Sequence, residues 1–190
     1  MNAMPDPPVS FRPRLKVADF LMLAESGALA GATKSELLDG DIVCMNAQFR
    51  RHSFAKNELT FRLRIALREN GSGLTAMAEA SVALSPFDMP EPDIVVTTEP
   101  LGAGAVRAAT VALLVEVADT TLDRDLGYKA ALYAAAAVPE YWVVDLAARR
   151  IHRRWQPTSD GYAATDQVAF GETIAAVTIA NLRIATDAID

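Results

Sequence analysis

Cysteine and histidine are scarce in this sequence, which limits the ways in which the chain can be held together. Of its 190 residues, one is cysteine (Cys44) and two are histidine. A single cysteine excludes an internal disulfide and a cysteine-based zinc cluster, and two histidines do not fill a histidine-rich metal site. A chain of this length buries roughly 70% of its unfolded surface, so it needs neither a disulfide nor a structural metal ion to fold. Cys44 follows a predicted apolar strand, where we expect a small buried side chain.

A long apolar run without charges is also missing. The most apolar region, residues 101–118, is interrupted by Arg107 and Glu116, so the sequence predicts no membrane span. Residues 1–14 are proline-rich and polar and contain no apolar signal segment. We therefore expect a cytoplasmic protein.

The sequence has no surplus of positive charge. It carries 18 lysines and arginines against 24 acidic residues, a net charge of −6, so the chain as a whole does not attract nucleic acid. Arginines nevertheless cluster in two places, where they suit phosphate contacts but equally suit a solvated surface. These are Arg50, Arg51, Arg62, Arg64 and Arg68, and then Arg149, Arg150, Arg153 and Arg154. Glycine-rich phosphate loops and a Ser-His-Asp order are absent.

Hydrophobic periodicity predicts an α/β fold with a mixed central sheet and a helix on each face. Residues 1–16, with four prolines, are expected to form an extended arm, and residues 17–190 a single domain. Helices are predicted over 17–25, over 53–69 with Ser53 as N-cap, and over 126–137. Residues 36–43 read as two strands joined by an Asp-Gly turn. Further strands are predicted near 74–84, 94–96, 112–117, 141–144, 149–155, 163–169 and 174–179.

Glu116 is the most informative residue, because it interrupts the apolar run ALLVEV of a predicted central strand. A buried carboxylate costs several kcal/mol unless it is paired or binds a metal. Strand alternation places it on the same face as Leu114 and Ala118. A salt bridge to an arginine at the strand end is the alternative explanation.

Asp93 is a second carboxylate at an apolar strand, since it directly precedes Ile94 in PEPDIVV. Taken alone, it is an ordinary aspartate at a strand start. It lies 23 residues before Glu116, however, a separation that fits two neighbouring strands joined by a loop. Two carboxylates facing each other on adjacent strands suit Mg²⁺ or Mn²⁺, with waters completing the coordination.

Lys129 falls on the helix that follows this second strand. Tyr133 lies one turn after it and Asp125 one turn before, so all three face the same way. A lysine near a divalent metal orients water or neutralises developing charge on a phosphate. The alternative is a solvated lysine paired with Asp125.

These motifs resemble those of the Uma-two family of endonucleases, in the PD-(D/E)XK nuclease superfamily. The family pattern matches Pro92–Asp93, Glu116, Asp125, Lys129, Tyr133 and the Pro-Glu-Tyr-Trp strand at 139–142, and ELLDGDIV at 36–43 matches its N-terminal hairpin. The resemblance covers about residues 17–180. In the superfamily the lysine stands two residues after the acid, where this chain has Ala118, so the resemblance passes that role to Lys129.

The resemblance implies a restriction-endonuclease-like fold with an N-terminal β-hairpin extension. It implies a Mg²⁺ or Mn²⁺ ion held by Asp93, Glu116 and the backbone carbonyl of Val117, with Lys129 completing the catalytic set. Asp125 and Tyr133 would orient Lys129. His52 and Glu79 are auxiliary candidates.

The function expected from these residues is that of a divalent-metal-dependent DNA endonuclease, which would form a homodimer if it cuts both strands. Two other classes stay open at the level of the sequence. One is a non-catalytic nuclease-fold module that binds nucleic acid or a partner. The other is a metal-dependent phosphohydrolase acting on a small molecule, which suits the acidic charge balance better than duplex DNA does.

Overall fold

The structure is a computed structural model that describes residues 13–31, 34–45 and 48–190. The helices are α1 (Val17–Glu25), α2 (Arg50–Glu69), α3 (Leu122–Arg124) and α4 (Ala130–Ala135), with a 3-10 turn at Ala108–Thr110 and a π-helical turn at Asp125–Lys129. The strands are β1 (Ser35–Leu38), β2 (Asp41–Cys44), β3 (Thr75–Ala78), β4 (Val82–Ala83), β5 (Ile94–Thr97), β6 (Val106–Arg107), β7 (Val111–Ala118), β8 (Glu140–Asp145), β9 (Arg150–Thr158), β10 (Gly161–Ala169), β11 (Thr173–Ala175) and β12 (Arg183–Ala185).

A six-stranded mixed sheet forms the centre of the fold, in the order β10-β9-β8-β7-β5-β3. Strands β7 and β8 are parallel, and every other neighbouring pair in this sheet is antiparallel. The α3–α4 segment makes the crossover between the two parallel strands, which cannot be joined by a tight turn. The predicted mixed α/β architecture is confirmed.

The two faces of the sheet are covered by different helices. On one face, α2 packs through Ala55, Leu59, Leu63 and Leu67 against side chains that include Val115 and Val117 of β7. On the other face, α4 packs through Ala130 and Tyr133 against side chains that include Leu114 and Ala118. Because strand residues alternate between faces, Glu116 points to the α4 side.

The N-terminal hairpin β1–β2 lies beside this sheet. Its turn, Asp39–Gly40, has positive φ at both residues (51° and 78°), the geometry of a tight hairpin turn. A side chain on Gly40 would come within 2.7 Å of Arg14 Cβ, so only glycine fits. Leu37 of the hairpin packs with Phe20 of α1 and with Met89. Of the predicted arm, residues 1–12 lie outside the described part of the chain.

Three local predictions are wrong. Helix α2 begins at Arg50 with Phe49 as its N-cap, not Ser53, because the N–H of Ser53 donates to the carbonyl of Phe49 (3.0 Å) and Ser53 therefore lies within the first turn. The helix predicted over 126–137 is divided into α3, the π-helical turn and α4, and such turns are frequent at functional sites. Cys44, predicted to be buried, is exposed.

None of the helices in the three described ranges is long and apolar enough to cross a membrane.

Candidate active site

A cleft of about 240 Å³ opens where β5 begins and β7 ends. Antiparallel pairing of these strands places the two ends side by side. Asp93, just before β5, and Glu116, near the end of β7, both line it. They are only 3% and 4% exposed, so both carboxylates lie at the bottom of the cleft.

Asp93 is held by three donors. Its Oδ2 accepts a hydrogen bond from the backbone N–H of Val117 (2.8 Å) and lies 3.2 Å from Nε2 of His52. Its Oδ1 accepts a bond from Nε2 of Gln48 (3.2 Å). Burial alone would raise the pKa of Asp93, but the bonds from His52 and Val117 outweigh it and lower the pKa. Asp93 is therefore fixed in place and ionised.

Within the described ranges, hydrogen bonds hold Glu116 through one of its two carboxylate oxygens. Its Oε1 accepts hydrogen bonds from Nζ of Lys129 (2.8 Å) and from the hydroxyl of Tyr133 (2.7 Å). Its Oε2 accepts no hydrogen bond from the described residues. The two donors are one helical turn apart, so the π-helical turn and α4 present both to the same carboxylate.

Lys129 is completely buried and binds two carboxylates at once. Besides Glu116, its ammonium donates to Oε1 of Glu36 on β1 at 3.0 Å. Glu36 is itself 0% exposed and also accepts a hydrogen bond from the N–H of Glu91. The N-terminal hairpin thus contributes a buried charge to the site.

Glu36 is a site residue that was not predicted from the sequence, although the sequence contains a signal for it. Glu36 precedes the apolar pair Leu37–Leu38 on a buried strand, which is the pattern that drew attention to Glu116. Its distance in sequence from Lys129 gives no hint of their contact. Only the packing of the hairpin against the sheet brings the two together.

The site carries more negative than positive charge. Burial and the neighbouring charges of Asp93, Asp125 and Glu36 raise the pKa of Glu116 to about 7, against the opposing effect of Lys129. Burial would lower the pKa of Lys129, but the charges of Glu116 and Glu36 raise it, so the ammonium stays protonated. Another cation in the cleft would relieve this imbalance.

Asp125 and Tyr133 contact other partners than the resemblance implies. Tyr133 donates to Glu116, and Asp125 accepts a hydrogen bond from the hydroxyl of Thr121. In the described residues, neither is hydrogen-bonded to Lys129. Asp125 is close enough for its charge to influence that of Lys129, and burial raises its own pKa.

The two auxiliary candidates lie on the Asp93 side of the cleft. His52 lines the cleft beside Asp93. Glu79 does not line it, and its carboxylate accepts a bond from Nζ of Lys56 (2.6 Å). Lys56 also donates to the side chain of Gln48 (2.6 Å), which in turn donates to Asp93. The Glu79 carboxylate therefore reaches the Asp93 carboxylate through two other side chains, whereas the backbone N–H of Glu79 donates directly to the carbonyl of Asp93 (3.1 Å).

The donor set fits a hard divalent cation bound with waters. Within the described part of the chain, no group of three or more His, Cys, Asp or Glu side chains is arranged to hold a metal by itself. Magnesium, however, commonly binds through one or two carboxylates and keeps several waters. Asp93 and Glu116 supply two carboxylates in one cleft, and the accepting capacity of Glu116 Oε2 is unused by the described residues.

The fold of this chain is shared with a solved structure. A crystal structure described as a "putative nuclease belonging to DUF820" from Anabaena variabilis ATCC 29413 matches this chain with a TM-score of 0.64. The match covers 85% of this chain and 89% of the other, at 14% sequence identity, and shows the shared fold. No match is found among curated proteins.

The family follows from a separate comparison. A family model described as "Uma2: Putative restriction endonuclease" matches residues 17–187. The chain therefore belongs to the Uma2 family, which is the Uma-two family that its motifs resemble.

Proposed function

We propose that this protein is a divalent-metal-dependent endonuclease that hydrolyses phosphodiester bonds of DNA. One observation carries the proposal beyond family membership. Asp93 and Glu116 share the bottom of one cleft, and each is oriented there by neutral or cationic donors. Such fixed carboxylates suit Mg²⁺ or Mn²⁺, which the restriction-endonuclease-like resemblance also implies.

The proposed ligands are Asp93, Glu116 and the backbone carbonyl of Val117. Pairing between β5 and β7 reaches Ile94 opposite Val115 and stops there. On the β5 side, the N–H of Val117 therefore meets the carboxylate of Asp93 instead of a residue of β5. The N–H and C=O of a strand residue point to the same side, so the Val117 carbonyl is expected on the side of Asp93.

The surrounding residues hold these ligands in position. When bound, Mg²⁺ or Mn²⁺ would polarise the scissile phosphate and lower the pKa of a bound water. Lys129 and Tyr133 fix Oε1 of Glu116, while His52 and Gln48 fix the carboxylate of Asp93. Because Lys129 is fully buried, we propose that it acts through Glu116, by orienting it and partly neutralising its charge.

The direct test is nicking of supercoiled plasmid DNA by purified protein. Cleavage should require Mg²⁺ or Mn²⁺ and fail with Ca²⁺, which takes more ligands at longer distances. Glu116→Gln should abolish cleavage and Mn²⁺ binding, because the amide keeps the shape but removes the charge. Glu69→Gln is the matched control, since Glu69 is an exposed carboxylate outside the cleft, at the end of α2.

Other outcomes would support the alternatives. A Glu116→Gln protein that nicks as fast as wild type would point to a contaminating nuclease. Hydrolysis of a small phosphodiester without any DNA cleavage would favour a small-molecule phosphohydrolase. Nucleic-acid binding without hydrolysis of either substrate, with Mn²⁺ present, would favour the non-catalytic module.

The proposal extends to assembly and location. A homodimer would supply a second active site for cutting both strands, and light scattering of the purified protein tests it. We also propose that the protein acts in the cytoplasm, on DNA present there, and that residues 17–190 act as a single domain.

A further inference from the structure

An exposed aromatic side chain stands beside the candidate active site. Phe49 is 75% exposed and yet lines the cleft that contains Asp93 and Glu116. This large, mostly exposed apolar side chain belongs to none of the hydrophobic clusters of the described residues. It offers a flat ring to a ligand entering the cleft.

The position of Phe49 is fixed by its neighbours in sequence. Gln48 before it and His52 after it both contact Asp93, and Phe49 forms the N-cap of α2 between them. The backbone that carries the aromatic ring is therefore tied to the proposed metal-binding carboxylate. A ligand that stacks on Phe49 would lie next to the reacting centre.

The depth of the cleft limits which DNA can reach its bottom. Asp93 and Glu116 are nearly buried, so a phosphodiester must enter the cleft to approach them. Duplex DNA is stiff, with a persistence length of about 150 bp, and a paired base must first be unpaired and unstacked before it can stack on a side chain. A single-stranded or unpaired segment can bend its backbone inwards and present a base for stacking.

Cationic groups for the adjoining phosphates are present but few. Arg124 lines the cleft, and its guanidinium donates a hydrogen bond to the sulfur of Met45 (3.4 Å) and lies 3.8 Å from the carboxylate of Asp125. Lys34 also lines the cleft, paired with Glu91 at 3.4 Å. With a net charge of −6, the protein gains little from non-specific attraction to DNA, so a stacking contact would contribute a large share of binding.

We infer that Phe49 and Arg124 form a binding subsite for an unpaired nucleotide, with the base stacked on Phe49 and its phosphate near Arg124. This inference deepens the proposed function and rests on it for the identity of the ligand as DNA. It predicts that the protein selects single-stranded or locally unpaired DNA over regular duplex.

Binding of fluorescein-labelled oligonucleotides, measured by anisotropy in EDTA, tests the subsite without any cleavage. Wild type should bind a single strand more tightly than the same sequence as a duplex. Phe49→Ala should weaken single-strand binding by about fivefold to about a hundredfold, the range expected for loss of one base–aromatic stack. Phe49→Trp should retain binding.

A control variant distinguishes this subsite from non-specific binding of DNA to exposed aromatic side chains. Phe61 is another exposed aromatic on α2 (59%) and does not line the cleft, so Phe61→Ala should leave binding unchanged. Equal binding of wild type and Phe49→Ala, or a preference of wild type for duplex, would overturn the inference.

Failure of the proposed function is distinguishable from failure of this subsite. Metal-dependent nicking that is insensitive to Phe49→Ala, together with unchanged single-strand binding, would leave the nuclease standing and remove the subsite. Phe49-dependent binding of single strands in a protein that cleaves no DNA would support the subsite and contradict the nuclease.

Discussion

Lys129 and Glu116 form a buried ion pair, with Nζ and Oε1 2.8 Å apart. The lysine is the last residue of the π-helical turn, and the glutamate lies on the central strand β7. Glu36, from the N-terminal hairpin, binds the same ammonium. Three separate parts of the chain thus meet at the ammonium group of Lys129.

The metal-free protein should lose stability as the pH rises from about 4.5 to about 7. Burial raises the pKa of Glu116 from 4.5 to about 7, so in this interval the folded state binds more protons than the unfolded state. The stability from this group is complete below pH 4.5 and is lost as the pH rises through about 7. The total is on the order of 3 kcal/mol.

Denaturant titrations at about pH 5 and about pH 8 measure this change in the free energy of unfolding when wild type is compared with Glu116→Gln. Glutamine does not titrate, so the mutant should lack this part of the pH dependence and should be at least as stable as wild type at the higher pH. Identical pH profiles for the two proteins would contradict the raised pKa of Glu116. Asp93, whose pKa is lowered, affects stability only at more acidic pH.

Lys129→Met should destabilise the protein strongly. It leaves Glu36 and Glu116 buried without their cation, and breaking a buried pair in this way costs about 3–5 kcal/mol. For a chain of this size the melting temperature should fall on the order of 10 °C. Adding Glu116→Gln to Lys129→Met should recover part of the loss, because one uncompensated charge disappears.

The exposed Lys16 provides a control for the previous experiment, since Lys16→Met should leave the melting temperature nearly unchanged. A small effect of Lys129→Met, similar to that of Lys16→Met, would show that the buried ion pair contributes little to the free energy of unfolding.

Glu36→Gln should weaken Mn²⁺ binding roughly tenfold, measured by calorimetry on the metal-free protein. Glutamine keeps the size of the side chain and can still accept hydrogen bonds from Lys129 and from the N–H of Glu91. It removes one negative charge from the site, and it leaves Glu116 as the only carboxylate bound to Lys129. Unchanged affinity, equal to that of Glu69→Gln, would assign Glu36 to folding alone.

His52→Ala should reduce metal-dependent cleavage by about 10- to 100-fold while leaving the fold intact. The substitution removes the imidazole that lies 3.2 Å from Oδ2 of Asp93, whereas the Val117 and Gln48 bonds remain. His152 is the other histidine, on β9 and outside the cleft, so His152→Ala is the matched control. Equal rates for the two variants would exclude a role of His52 at the site.

The sequence by itself determined the main elements and the family. Apolar runs with β-branched residues predicted the central strands, because a strand buried on both faces must be apolar throughout. The same rule made Glu116 conspicuous, since a carboxylate in such a strand needs a partner. The spacing of Asp93, Glu116, Lys129 and Tyr133 carried the family resemblance, which the family comparison confirms.

Tertiary structure alone decided which partners these residues have. Glu36 and Lys129 are far apart in sequence, and no local rule links a hairpin strand to a later helix. Tyr133 was expected to orient Lys129, yet its hydroxyl binds Glu116, because the helix places both donors over the same carboxylate. Gln48 and His52, which flank the start of α2, likewise contact Asp93, a residue far from them in sequence. Side-chain contacts across the sheet depend on packing, which helical and strand periodicity do not encode.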